Sequence, residues 1–154
     1  MAVVAVYLLL PSPVFPEPPP GALRSSEPGD MESVYRRAYY TNLSRSEVLS
    51  HYSAQFSAYL PQLLLNYPPE EAFTLVRDQT KSSWLQELVH PGRESLYVNG
   101  FYPTKPTEQI NINGIHYVNK ITVRYIPSHP VGRITVLALA VICGYLLFKE
   151  YGRA

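Results

Sequence analysis

Apolar residues follow three different rules along this chain. At the C-terminal end they follow no period at all: Ile134 to Phe148 reads ITVLALAVICGYLLF, oily on every side and bracketed by Arg133 and Lys149. As a helix this run extends about 22 Å, against a hydrocarbon core of about 30 Å. Arg133 and Lys149 can lay their methylenes along the apolar zone while their charges reach the headgroups, and Tyr145 and Tyr151 suit the interface. Residues 133–149 are therefore expected to form a transmembrane helix followed by a short tail, 150–154. A buried core helix is the competing reading, but so small a domain has little protein with which to surround a helix that has no polar stripe.

The opening MAVVAVYLLL is also apolar without period. Ten residues make a helix of about 15 Å, half a bilayer, so residues 1–10 cannot span alone. The segment lacks a basic flank and a small-residue cleavage site, which argues against a secretory signal. It is expected to be the distal half of a membrane helix that begins upstream of the assigned Met1, with an atypical signal anchor and a disordered apolar tail as alternatives. Residues 11–30 hold seven of the fifteen prolines and read as a Pro-rich linker, a semi-rigid extended spacer. A ligand for a polyproline-binding domain is the sharper alternative for PSPVFP and PEPPP.

Between these ends, residues 31–128 show first a helical and then a strand period. SRSE at 44–47 places a Ser three residues before a Glu, a pair that caps a helix start reciprocally. Val48, Leu49, Tyr52, Phe56 and Tyr59 then recur at helical spacing, predicting a helix over 45–59 that Pro61 ends. VYRRAYYT (34–41) fits a helix capped by Asp30 or a strand, and the cap tips it to helix. YPPEEA opens a second helix, with Pro in the first turn and Glu70 and Glu71 at the positive end of the dipole. Its face runs through Phe73, Val76, Thr80, Trp84 and Leu88 to the stop at Pro91 and Gly92, with Trp84 a core residue.

Beyond residue 93 the period becomes 2. Asn113 and Gly114 separate two alternating runs and predict a two-residue hairpin turn. On the outgoing strand Ile115, Tyr117, Ile121, Val123 and Tyr125 fall on one side, and His116, Lys120, Thr122 and Arg124 on the other. Asn99 and Gly100 read as a second tight turn, and 104–106 as a loop. The expected fold is thus α+β: two or three helices, then an antiparallel meander of three strands, then the transmembrane helix, joined to the last strand by the short SHPVG.

Charge narrows the function classes. Thirteen Lys and Arg stand against twelve Asp and Glu, so no field attracts phosphate backbones, and nucleic acid is set aside as a partner. Cys143, the only cysteine, lies in the oily run, so no intrachain disulfide forms and nothing beside it would activate the thiol. His51, His90, His116 and His129 have no spacing that places two nitrogens on one metal. Glu47 and His51 are helix neighbours and read as a cap or surface pair before an acid–base couple. Asp30 and Asp78 sit in no calcium-loop pattern, and nucleophile-elbow, phosphate-loop and dinucleotide motifs are all missing. No catalytic, cofactor-binding or metal-ligating residue is assigned. The polar cluster Arg77, Asp78, Gln79, Lys81, Ser82 and Ser83 reads as a solvated helix face or a contact surface, and Asn42–Ser44 as a glycosylation triplet that matters only on a eukaryotic secretory route.

These readings lead to a membrane-tethered α+β domain on the extracytoplasmic side of a prokaryotic cytoplasmic membrane. Its expected role is a scaffold or accessory subunit that touches the lipid bilayer and a membrane or envelope protein. The basic residues do not fix the side, for Lys149 and Arg153 beyond the anchor are matched by Lys120, Arg124 and Arg133 before it. A tail-anchored protein with a cytosol-facing domain, a small-ligand or lipid-binding module with a tyrosine-lined pocket, and a hydrolase with a polar cleft are the rivals.

Overall fold

The computed structural model describes residues 2–56, 63–75 and 82–152. Its elements are α1 (Ala2–Leu9), β1 (Leu23–Arg24), β2 (Arg36–Thr41), α2 (Arg45–Phe56), β3 (Leu63–Asn66), α3 (Pro69–Leu75), β4 (Trp84–Val89), β5 (Ser95–Phe101), β6 (Ile110–Ile112), β7 (Ile115–Tyr117), β8 (Asn119–Ile126) and α4 (Pro130–Tyr151). Six strands form one sheet in the order β1-β2-β8-β5-β4-β3, with every neighbouring pair antiparallel, and β6 and β7 form a separate hairpin. The fold is mixed α+β, as expected, but its sheet is larger than a three-stranded meander. The last strand in sequence, β8, sits in the middle.

Helix α2 begins where the Ser–Glu spacing places it. The Ser44 N–H donates to the Glu47 carboxylate at 2.7 Å, and the Glu47 N–H returns to Ser44 Oγ at 3.4 Å. Hydrogen bonds from the Ser44 hydroxyl and then its backbone hold the Glu47 carboxyl below its ordinary range, so this side chain is committed to the cap. Val48, Tyr52 and Phe56 then face the sheet, against Tyr39, Trp84, Leu88, Leu96, Val98, Ile121 and Val123. The predicted end of this helix at Tyr59 and Pro61 lies outside the described residues.

Three expectations are corrected. Residues 36–41 form strand β2, not a helix, and Asp30 starts nothing there: its carboxylate accepts from the Ser25 hydroxyl at 2.5 Å and pairs with Lys120 at 2.7 Å. The second helix does not reach residue 90. Described α3 covers Pro69–Leu75, and residues 84–89 are strand β4. Trp84 and Leu88 are core as expected, yet a four-residue spacing shares a face in a helix and in a strand alike, and buried Gln86 between them is what distinguishes the strand. Val76, Thr80 and the cluster from Arg77 to Lys81 lie outside the described residues. Asn99–Gly100 is no turn either, since Gly100 lies inside β5, opposite Trp84.

The Asn113–Gly114 turn is present, with φ of 51° and 79°, and closes β6 on β7. The outgoing strand, however, is broken at Val118. There the Val118 N–H donates to Asn42 Oδ1 at 2.9 Å and the Asn119 amide to Leu43 O at 2.7 Å. That break sends Tyr117 to a small cluster with Tyr40 and Ile110, away from Ile121, Val123 and Tyr125 in the main core.

Residues 11–22 are a strap laid on the domain, not a standoff spacer. Phe15 packs edge-on to Tyr125 at 6.4 Å and under the Arg37 guanidinium at 5.6 Å. The Tyr125 hydroxyl donates to Pro13 O at 2.8 Å, and Gln55 pairs with both backbone groups of Glu17, at 2.8 and 3.2 Å. The strap leads into β1, which pairs with β2, so the folded unit begins well before residue 31.

Only Pro127–His129 separate β8 from α4, where His129 Nδ1 accepts the Val131 N–H at 3.3 Å. With 22 residues α4 is longer than the 133–149 run and extends about 33 Å. Among the described residues it is the one helix long and apolar enough to cross a membrane, and the protein covers almost none of it.

Candidate functional site

Two features stand out: a buried charge cluster where the apolar helices meet the domain, and the sheet face that α2 leaves open. The cluster consists of Arg93 and Glu94, in and after the β4–β5 turn, and Arg133, in the first turn of α4. Their side chains are 0%, 2% and 1% exposed, and charges so buried must be paired. Arg93 Nε donates to one Glu94 oxygen at 3.1 Å, and Arg133 Nη2 donates to the other.

One carboxylate cannot satisfy two guanidinium groups, and their remaining donors turn to the end of α1. The last carbonyls of a helix lack partners within it and sit at its negative pole, which favours cations. Arg93 donates to the carbonyls of Tyr7, Leu10 and Pro11 at 3.3, 3.2 and 2.9 Å. Arg133 donates to Leu8 O at 3.0 Å, Ser128 O at 2.6 Å and Ser12 Oγ at 2.5 Å. The Arg93 guanidinium also lies 5.4 Å from the centre of the Tyr7 ring. The cluster thus locks the end of α1, the start of α4 and the β4–β5 turn into one body.

The open face presents alternate residues of the central strands. Across one row Arg36 lies opposite Arg124, Arg124 opposite Tyr97, and Tyr97 opposite Glu87. In the next row Thr122, Asn99 and Leu85 follow. Together with Glu32, Ser33 and Ser82 these residues line a cleft of about 960 Å³. Glu32 holds Arg36 at 2.6 Å, and burial pushes the Glu87 carboxyl above its ordinary range. The cleft offers both charge signs and neutral hydrogen-bonding groups. On the other face, among the described residues, Trp84, Tyr52 and Phe56 fill the space between α2 and the sheet.

A second polar network pins the first strand. Lys120 reaches Glu27 at 2.9 Å and Asp30 at 2.7 Å, while the Tyr40 hydroxyl donates to Glu27 at 2.5 Å. Hydrogen bonds from Tyr40 and then Lys120 hold the Glu27 carboxyl below its usual range. Burial works against the Lys120 charge, but the hydrogen bonds to Asp30 and Glu27 outweigh it and leave the ammonium harder to deprotonate than usual. A depressed carboxyl stabilises the fold above its unfolded pKa and loses that contribution as pH falls through the folded value; a raised ammonium stabilises below its unfolded pKa and loses it as pH rises through the folded value. Thermal melting followed against pH should therefore show a plateau at neutrality that falls on both sides. In Lys120→Met the alkaline fall should be smaller than in the parent, and an unchanged alkaline limb would contradict this assignment.

The histidines serve separate structural ends. His51 meets Glu17 O at 3.0 Å, His90 stacks on Phe56 at 6.0 Å, His116 meets Asn111 at 3.2 Å and His129 caps α4. Among the described residues no three His, Cys, Asp or Glu side chains converge as a metal site. Cys143 lies exposed on the apolar surface of α4. The Arg93–Glu94–Arg133 cluster was not found from sequence; its only local signals are an adjacent Arg–Glu pair after a Pro–Gly turn and a lone Arg heading an oily helix. No protein-family model, curated protein or solved structure matches the chain. What the fold and site define is a class: an α+β domain fixed rigidly to an apolar helix of membrane-spanning length.

Proposed function

We infer that the chain is a membrane-anchored scaffold or accessory subunit, with α1 and α4 side by side in the bilayer and the sheet on the extracytoplasmic side of a prokaryotic cytoplasmic membrane. The observation that carries this reading is the buried cluster, which ties the last turn of α1 to the first turn of α4. The chain enters and leaves the domain at one place, through two apolar helices that run in opposite directions. A rigid seat of this kind holds the domain in one orientation and suits docking to another membrane or envelope protein. The open sheet face, with its row of Arg36, Arg124, Tyr97 and Glu87, is the surface offered to that partner.

The side of the membrane is tested with a single thiol at the tip of the domain, in Lys105→Cys on a Cys143→Ser background. A membrane-impermeant maleimide should label intact cells to the same extent as permeabilised ones. Labelling that requires permeabilisation would place the domain in the cytosol.

A further inference from the structure

We propose that the end of the sheet from which α4 departs is itself a lipid-contact surface, resting its apolar rim in the interfacial zone of a phospholipid bilayer; this rests on the membrane reading of α4. The strand register defines that rim. Ile126 pairs with Ser95, Ser95 with Val89, and Val89 with Leu63, so the ends of β8, β5, β4 and β3 form one row. On the other side of β8 the Tyr125 N–H donates to Tyr35 O at 2.8 Å, which carries the row on to Val34. Val34, Leu63 and Ile126 are 68%, 45% and 39% exposed, and Tyr35 and Leu64 beside them are exposed as well. Two strands, β8 at Ile126 and β3 at Leu63, thus finish on an apolar side chain open to solvent, and Val34 adds a third just ahead of β2.

The height of the row follows from the charge cluster. Glu94, which accepts from Arg133, immediately precedes Ser95 in the rim. Arg133 is also the residue at which the apolar run of α4 begins, so the rim and the upper boundary of the anchor share one level. The link Pro127–His129 is too short to lift the sheet away. From Ile126 to Leu63 the row covers three strand spacings, about 14 Å, so contact extends sideways from the anchor and is not confined to its root. Two residues further along the strands, about 7 Å from the rim, Arg36 and Arg124 stand at the depth of the headgroup phosphates. Tyr35 at the boundary is the residue type that interfaces favour.

The test uses full-length protein in phospholipid vesicles, on the Cys143→Ser background, with an environment-sensitive fluorophore on one introduced cysteine at a time. Val34→Cys and Leu63→Cys probe the rim, Lys105→Cys the opposite end of the domain, and Leu139→Cys the middle of α4. Lipids carrying a nitroxide near the headgroup should quench both rim labels at least about twofold more than the Lys105 label, and lipids carrying it deep in the chain should quench the Leu139 label. If either rim label is as aqueous as Lys105 while Leu139 is quenched, the proposal is wrong and the rim awaits a protein. If Leu139 is not quenched, the membrane reading falls and this proposal with it.

Discussion

Replacing Gly100 with alanine should cost the domain a large part of its stability. A Cβ at this position would lie 1.5 Å from Cε2 of Trp84 and 1.8 Å from its Nε1, inside covalent distance of a ring that has no exposed surface. The indole cannot swing aside, since it is enclosed by the core under α2 and the Arg45 guanidinium lies 5.7 Å from its centre. Ordinary overpacking costs about 1–3 kcal/mol. Here a whole ring must leave its site, so the loss approaches the ~3–5 kcal/mol of deleting a buried aromatic, a large part of the roughly 5–15 kcal/mol that holds a domain together. Chemical denaturation of detergent-solubilised protein, followed by far-UV circular dichroism, measures this. Trp84→Leu added to Gly100→Ala should restore part of the loss, because the two changes relieve one clash. A Gly100→Ala protein that melts like the parent would show that the ring does not lie over this backbone.

Removing the charge that joins the two arginines should be nearly as damaging. Glu94→Ala leaves Arg93 and Arg133 buried with no anion between them, and breaking such a pair costs about 3–5 kcal/mol. The cost should change little with added salt, since mobile ions do not reach side chains so fully enclosed. It should also free α1, because the arginines that cap its carbonyls would seek water instead. Thermal melting and protease cleavage around Pro11–Pro13 report the two effects together. Replacing all three with Met, Leu and Met should restore melting more than cleavage resistance, as apolar side chains can refill the space but cannot bind carbonyls. If Glu94→Ala leaves both melting and cleavage unchanged, the cluster does not hold the helices.

What could be read from the sequence was what lay within a few residues. The Ser44–Glu47 cap, the α2 stripe and the Asn113–Gly114 turn are all local, and all three are present. Sequence pattern and structure part where two periods coincide: Trp84 and Leu88 share a face in a helix or a strand, and only tertiary pairing with β5 selects the strand. The segment 36–41 became a strand because β8 supplied its partner from some 80 residues away. Val118 shows a third cause, for the break depends on Asn42 and Leu43, which no pattern within 115–125 reveals. The charge cluster was invisible for the same reason, being built from residues near 10, 93 and 133.

The central place of β8 has a consequence for synthesis. Until residues 119–126 leave the ribosome, the β1–β2 pair and the β5–β4–β3 group have no common member, and each shows an unpaired edge to other nascent chains. Arg36 must wait for Arg124, a separation that makes closure slow and late. Within a few residues of that closing strand the anchor helix also emerges, so this chain completes its sheet and commits its oily tail in nearly the same moment.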